Sequence, residues 1–108
     1  MAQAVLVLKG DDTLVAEPGG TVAISRGGSP ALATAGTGDV LTGVIAALIA
    51  QGAEAFTAAC AGVWLHAQAG RLAAQRVGAA EGVIASDVID ALPAARSHAG
   101  DRVTGGLA

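Results

Sequence analysis

The stretch ALATAGTGDVLTGVIAALIAQG, residues 31–52, sets a strongly apolar helical pattern directly behind a Gly-Thr-Gly turn. From Asp39 onward, apolar side chains recur with the 3.6-residue period of a helix, and Gly52 supplies a stop signal. The members of this pattern are Val40, Leu41, Val44, Ile45, Leu48 and Ile49. The pattern therefore predicts a helix that starts at the turn and buries one face deeply.

A single carboxylate, Asp39, ends the Gly-Thr-Gly-Asp turn, and it has two interpretations. The first N–H groups of a helix have no partner within the helix, so an acid is favourable there simply as a cap or first-turn residue. The same N–H groups can instead hold a phosphate, with Asp39 beside it as a general base. The turn by itself favours the capping interpretation, so the choice between the two interpretations of Asp39 depends on residues elsewhere in the chain.

The composition describes one small domain with a core of small residues. Of 108 residues, 53% are hydrophobic and 14% are charged, which excludes disorder, and Phe56 and Trp64 are the only aromatic residues. A net charge of −3 without a basic cluster argues against binding to nucleic acid or to an anionic membrane. A lone cysteine, Cys60, offers no disulfide framework. MAQAVLVLKG lacks the basic region and cleavage site of a signal peptide, and the uncharged runs are interrupted, so we expect neither a signal peptide nor a membrane span. We expect a cytoplasmic protein and, in addition, a homo-oligomer.

Strands are predicted first along the chain. AVLVL, residues 4–8, is a continuous apolar run typical of a strand buried on both faces of a mainly parallel sheet. TLVAE and TVAIS flank Pro18-Gly19-Gly20 and predict a hairpin, and residues 25–37 have the composition of a loop. Three candidate strands would leave much of a parallel sheet unpaired, so the sheet looks truncated.

Two more helices are predicted after the first. The segment 54–77 has an apolar stripe, and Gly62 and Gly70 weaken this helix but allow close packing. Ser86 and Asp87 are a start signal for a short helix that ends near Pro93, and residues 97–108 are expected to form a flexible tail. The stripe of the longer helix consists of Phe56, Cys60, Val63 and Ala67.

Lys9 is the only lysine, and it follows the first predicted strand immediately. Ligands of open α/β sheets lie beyond the carboxyl ends of the strands, where a lysine can reach a bound polyphosphate. Alone, Lys9 is best interpreted as a solvated loop residue. Together with the Gly-Thr-Gly-Asp turn it completes a set of cation, backbone donors and carboxylate, which are the components of phosphoryl transfer. No lysine follows the glycines, so the turn is not a P-loop.

Four motifs resemble, in order, those of the ADP- or ATP-dependent NAD(P)H-hydrate dehydratases, the carbohydrate-kinase-like YjeF C-terminal family. The motifs are LKGDDTLVAEPGG, SPALATAGTGDVLTGVIAALIAQG, AACAGVWLHAQAG and GVIASDVIDALP. The resemblance covers nearly the whole of residues 1–108, and only the C-terminal part of the family domain. It implies a partial ribokinase-like α/β/α fold, with a hairpin and three helices. It also implies repair of hydrated NADH or NADPH: phosphorylation of the ring hydroxyl by ADP or ATP, with Mg²⁺, and then elimination of phosphate.

The resemblance also implies roles for particular residues. Asp39 would be the catalytic base and would contact the hydrated dinucleotide. Gly36, Thr37 and Gly38 would form an anion hole. The AMP portion of the nucleotide would be bound by Lys9, Gly10, Asp11, Asp12, Thr13 and Gly38.

Two motifs depart from the family's usual form. KGDDT stands where KGAGT is common, so Asp11 and Asp12 add negative charge beside the nucleotide site. LHA replaces LHG, and we interpret His66 as a packing or hydrogen-bonding residue. Two alternatives stay open at this point: a small-molecule kinase of the same superfamily, and an inactive truncated fragment.

Overall fold

The described residues form a three-stranded sheet, three α-helices and two short 3-10 helices. The computed structural model describes residues 3–10, 12–26 and 30–107. In these residues β1 (Leu6–Leu8), β2 (Thr13–Ala16) and β3 (Val22–Ser25) precede α1 (Thr37–Ala50), α2 (Ala55–Val77) and α3 (Ala85–Leu107). Short 3-10 helices occupy Pro30–Ala33, where we expected only a loop, and Ala80–Gly82. The expected hairpin and three helices are confirmed.

The described strands form an antiparallel sheet in the order β1-β2-β3. Val7 pairs with Val15, which pairs with Ala23, and this row faces the helices. The prediction that the first strand is buried on both faces of a parallel sheet is wrong for the described residues, because Leu6 and Leu8 are 62% and 58% exposed. Short connections pair each strand with its chain neighbour, so the pairing is antiparallel and only alternate side chains reach the helices.

The buried residues form two clusters that meet at α2. Val15, Leu41, Ala59 and Val63 join the sheet to α1 and α2. The second cluster joins α2 to α3 and the 3-10 helices, and most of its members are alanine: Ala31, Ala69, Ala73, Val83, Val88, Ala91 and Ala95. The expected core of small residues is therefore confirmed.

Two glycines of α2 are sites of close approach. A Cβ atom on Gly62 would lie 2.6 Å from Ile45 Cγ1 of α1, and one on Gly70 would lie 2.8 Å from Leu32 Cγ. Side chains at these positions would overlap with the neighbouring elements. The close packing expected from the small residues of α2 is therefore confirmed.

The helix α1 ends as the sequence predicts but is less buried than expected. Gly52 has φ +101°, and its N–H donates to Ile49 O at 2.9 Å while Ala53 N–H donates to Leu48 O at 3.1 Å, as in a Schellman motif. Of the apolar pattern only Leu41 is fully buried, and Ile49 is 47% exposed. The expectation of a deeply buried face is wrong here because a groove of about 460 Å³ separates α1 from β1.

The last helix starts as predicted and continues further than predicted. Asp87 Oδ2 accepts the N–H of Ile84 at 2.9 Å and so caps the start of α3. The helix then passes Pro93 and extends to Leu107, so the expected end near Pro93 is wrong. Ala91 and Ala95 on either side of Pro93 are both 0% exposed, and their packing on α2 offsets the hydrogen bond that proline removes. The flexibility of residues 97–108 stays a prediction.

No helix among the described residues is long and apolar enough to span a membrane.

Candidate functional site

Lys9 directly follows β1 and lies beside the start of α1. A Cβ atom on Gly38 would lie 4.0 Å from Lys9 Nζ, and Lys9 and Gly38 line the same groove between β1 and α1. Both residues are exposed. The fold therefore brings together the cation and the turn that are far apart in the sequence.

A cleft of about 370 Å³ holds three of the predicted nucleotide-binding residues, Lys9, Gly10 and Thr13. This volume is at the lower end of the range of small-molecule sites, about 300–1,000 Å³. Asp12 is exposed, and Asp11 lies outside the described residues. The rest of the lining consists of Ser25, Pro30, Leu32, Ala33, Leu41, Val63, His66 and Ala67.

The start of α1 provides backbone donors. Gly36 has φ +90°, a left-handed conformation that favours glycine, and its carbonyl accepts the N–H of Val40 at 3.3 Å in the first helical hydrogen bond. The N–H groups of Gly38 and Asp39 precede that bond and have no acceptor within the helix. Both residues are exposed. Two adjacent N–H groups at the positive end of a helix dipole can hold an anion.

Thr37 is anchored inside the turn. It is 2% exposed, and its Oγ1 lies 2.6 Å from Leu32 O and 2.9 Å from Thr34 O. Its N–H donates to Thr34 O at 3.3 Å. Of the three residues predicted to form an anion hole, Thr37 thus has its N–H engaged within the turn, Gly36 shapes the turn, and Gly38 has an N–H without a helical acceptor.

Asp39 lies in the first turn of α1, adjacent to Gly38. Asp39 borders a second groove, of about 570 Å³, between α1 and α3. This groove is mostly apolar, with Val40, Val44, Ile89 and Leu92 among its lining residues. Asp39 is an exposed residue.

His66 is a polar residue of the site for which the sequence predicted packing or a hydrogen bond but no particular partner. It is 3% exposed, and its Nε2 lies 2.8 Å from Thr37 O. A carbonyl only accepts, so Nε2 carries the hydrogen and donates. The predicted hydrogen-bonding role is confirmed, but the partner depends on how α2 packs on α1. A polar side chain between Val63 and Ala69 on a buried stripe was the available signal, because a buried polar group requires a partner.

Burial lowers the pKa of His66 below its ordinary value of 6.5, and the nearby charge of Lys9 lowers it further. The hydrogen bond to Thr37 opposes this shift, as a donor bond favours the protonated form. The imidazole is therefore held in its neutral form near pH 7.

No group of three or more His, Cys, Asp or Glu side chains that could hold a metal ion occurs in the described part of the chain. A protein cage for a metal is therefore not built by these residues.

Comparisons with known proteins identify the family. The sequence profile of the NAD(P)H-hydrate dehydratases matches residues 1–94. The chain is 47% identical over 93 residues to the ADP-dependent (S)-NAD(P)H-hydrate dehydratase of Neisseria meningitidis, covering 86% of this chain and 30% of that protein. It is 50% identical over 91 residues to the bifunctional NAD(P)H-hydrate repair enzyme Nnr of Moorella thermoacetica, covering 84% of this chain and 17% of that protein.

A solved structure shows the same fold. The ADP/ATP-dependent NAD(P)H-hydrate dehydratase of Bacillus subtilis, co-crystallised with ATP and Mg²⁺, superposes with a TM-score of 0.81 at 33% sequence identity. The match covers 89% of this chain and 34% of that one, so the chain spans about a third of the solved protein. The agreement confirms the expected ribokinase-like α/β fold in its partial form. On sequence and fold together, this chain belongs to the NAD(P)H-hydrate dehydratase family.

Proposed function

We propose that this chain provides the phosphate-binding turn and the catalytic base for ADP- or ATP-dependent dehydration of hydrated NADH or NADPH. The observation that supports this most directly is the position of Lys9 beside Gly38 at the start of α1, where Asp39 is the next residue of the first turn. A cation, free N–H groups and a carboxylate there match the needs of phosphoryl transfer. The names of the relatives favour hydrated NADH or NADPH as the acceptor over the sugar or vitamin precursor that a small-molecule kinase would phosphorylate.

In this proposal the nucleotide occupies the cleft that Lys9, Gly10 and Thr13 line. Lys9 Nζ binds phosphate oxygens, and the N–H groups of Gly38 and Asp39 stabilise the negative charge on the transferred group. Mg²⁺, held on the nucleotide's phosphates, would neutralise part of that charge. Asp11 and Asp12 belong to the same predicted AMP-binding segment, and their added negative charge should weaken affinity.

Asp39 takes the proton of the acceptor hydroxyl as the new oxygen–phosphorus bond forms and the bond to the leaving nucleotide breaks. The phosphate ester formed on the ring then leaves as inorganic phosphate, and a ring proton is lost as the double bond of the dihydronicotinamide is restored. Binding the acceptor in the groove beside Asp39 would bring its hydroxyl to this carboxylate.

The exposed apolar face of the sheet and the open groove beside β1 are the structural reason to expect limited binding and turnover from the chain alone. Leu6, Leu8, Val22 and Ile24 are each more than half exposed, at 62%, 58%, 53% and 54%. Productive catalysis requires both reactants to be fixed together, an effect that is worth about 7–11 kcal/mol in well-aligned cases. We therefore expect weak nucleotide binding and little turnover from these residues by themselves.

The test is recovery of reduced-nicotinamide absorbance from hydrated NADPH with ADP or ATP, with and without Mg²⁺. It should be run on the chain alone and on a version extended upstream in the same gene, beside calorimetric titration of each with ADP. Turnover in the extended version, and weak ADP binding with little turnover in the chain alone, is the expected result. A stable phosphorylated product without release of phosphate would instead indicate a kinase, and no nucleotide binding by either would overturn the proposal. A cytoplasmic location and a homo-oligomeric state stay predictions.

A further inference from the structure

We propose that His66 is a positioning residue for the phosphate site, because it fixes the peptide plane between Thr37 and Gly38 through the Thr37 carbonyl. This inference rests on the proposed function in one respect, namely that the Gly38 N–H binds a phosphate oxygen. The geometry that carries it is independent of that function: a buried imidazole on α2 lies 2.8 Å from a carbonyl in the first turn of α1.

The peptide bond itself transmits the effect. The Thr37 carbonyl and the Gly38 N–H belong to one planar unit, and in a trans peptide they point in opposite directions. The described chain has no cis peptide bond. Because Thr37 O is held toward the buried His66, the Gly38 N–H is directed away from it, at the exposed start of the helix.

Helix geometry alone would hold this peptide through a single hydrogen bond to its carbonyl. Thr37 O accepts the N–H of Leu41 in the helical ladder, which uses one lone pair of the carbonyl. His66 occupies the second lone pair, so the plane is held by two donors from different directions. The hydroxyl of Thr37, close to Leu32 O and Thr34 O, anchors the other side of the same residue.

The restraint on the Gly38 N–H matters for binding because Lys9 lies beside it. Lys9 Nζ lies on the Gly38 side of the turn, 4.0 Å from where a Gly38 Cβ would be, and its charge also acts on His66. A phosphate bound by both Lys9 and the Gly38 N–H requires the two donors to converge. A neutral His66 holds the peptide without adding a second cation beneath the site.

Substitution of His66 separates positioning from packing. His66→Leu replaces the imidazole with an apolar side chain of comparable size and removes the donor, whereas His66→Gln retains an N–H donor at similar reach. Ala73→Gly is the matched control, because Ala73 is a buried residue of α2 outside the site and the change destabilises the helix without touching Thr37.

The ligand-free readout is amide hydrogen exchange at the first hydrogen-bonded residue of α1, Val40, relative to Ala58 at the start of α2. These amides donate to Gly36 O and Glu54 O respectively. We expect the ratio of the Val40 rate to the Ala58 rate to rise about threefold to tenfold in His66→Leu, the change expected for loss of one hydrogen bond. The ratio should stay near the wild-type value in His66→Gln and in Ala73→Gly. An unchanged ratio in folded His66→Leu would overturn the inference, as would an equal rise in Ala73→Gly.

The binding readout is calorimetric titration with ADP. The dissociation constant should rise about threefold to tenfold in His66→Leu and be restored toward wild type in His66→Gln. If the wild type binds ADP and His66→Leu binds it with equal affinity, the positioning role of His66 is overturned and the proposed function is unaffected. Absence of ADP binding by the wild-type and extended chains would overturn the proposed function, and the exchange ratio would still decide whether His66 holds the turn.

Discussion

Lys9 Nζ lies over Gly38, 4.0 Å from the point where a Cβ atom would be, at the start of α1. The relationship joins the end of the first strand to the first turn of the first helix, across the hairpin and the loop that separate them in sequence. It places an exposed cation beside the start of a helix, where N–H groups lack helical acceptors, and many proteins bind phosphate in this way. The first two predictions concern the chemistry of this pair and its neighbour Asp39.

Lys9→Ala should weaken binding of ADP by at least about tenfold, because a charge-assisted hydrogen bond to phosphate is lost. Stability should change little, since the side chain is exposed. Arg96→Ala is the control: it removes the same charge from the groove between α1 and α3. Titration calorimetry and a thermal melt of each variant decide. Equal ADP affinity in both variants would make Lys9 an ordinary surface residue.

Asp39→Asn should keep the fold and abolish phosphoryl transfer, because an amide is tolerated at a helix start but does not accept the proton. General-base catalysis contributes about 10²- to 10⁴-fold, so turnover in the nicotinamide-recovery assay should fall at least that far. ADP binding should be unchanged or tighter, since a negative charge beside the phosphates is removed. If a version of the chain that is active with Asp39 keeps most of its turnover after Asp39→Asn, another group is the base.

Gly62→Ala and Gly43→Ala should change stability in opposite directions. The added methyl at Gly62 would lie 2.6 Å from Ile45 Cγ1, and such overpacking costs about 1–3 kcal/mol, which opposes the gain of about 1 kcal/mol in helix propensity. At Gly43 nothing lies within 4 Å of the new Cβ, so alanine should stabilise α1 by about 1 kcal/mol through its helix propensity. Urea unfolding of the two variants and the wild type measures the change in the free energy of unfolding for each substitution. Stabilisation by Gly62→Ala would show that α1 and α2 are not as close as described.

Stability should decrease as the pH falls below the ordinary pKa of histidine, 6.5, because burial and Lys9 lower the pKa of His66 in the folded chain. In this window the unfolded chain binds the proton more readily than the folded one, so acid favours unfolding. The loss ends once the pH is below the folded pKa, where both states are protonated. Urea unfolding at intervals between pH 7 and 5, in wild type and His66→Gln, measures it.

The contribution of His66 is the difference between those two profiles. A flatter profile for His66→Gln in this window is the expected result. Parallel profiles would mean that His66 titrates similarly in the folded and unfolded chain. Glu54, whose pKa is lowered below 4.5 by the N–H groups of Phe56 and Thr57, contributes in a more acidic range.

Local signals in the sequence predicted the elements well. The start of α1 at a glycine-rich turn, its end at Gly52 and the hairpin around Pro18-Gly19-Gly20 depend on nearby residues, and each is found in the structure. The family could also be inferred, because its four motifs are contiguous runs. The expectation of an end near Pro93 was wrong, as the local cost of proline was offset by packing of Ala91 and Ala95 on α2.

Tertiary structure decided what depends on residues distant in the chain. The sequence by itself determined which residues bear charge, where the three α-helices begin and which turn carries Asp39, since these follow from local hydrogen bonding and periodicity. Whether β1 has one covered face or two depends on what packs against it, and the described sheet leaves Leu6 and Leu8 open. The partnership of His66 with Thr37, and of Lys9 with Gly38, exists only once α2 and β1 have packed beside α1, because hydrogen bonds and charge contacts act over a few ångströms in space regardless of separation in sequence.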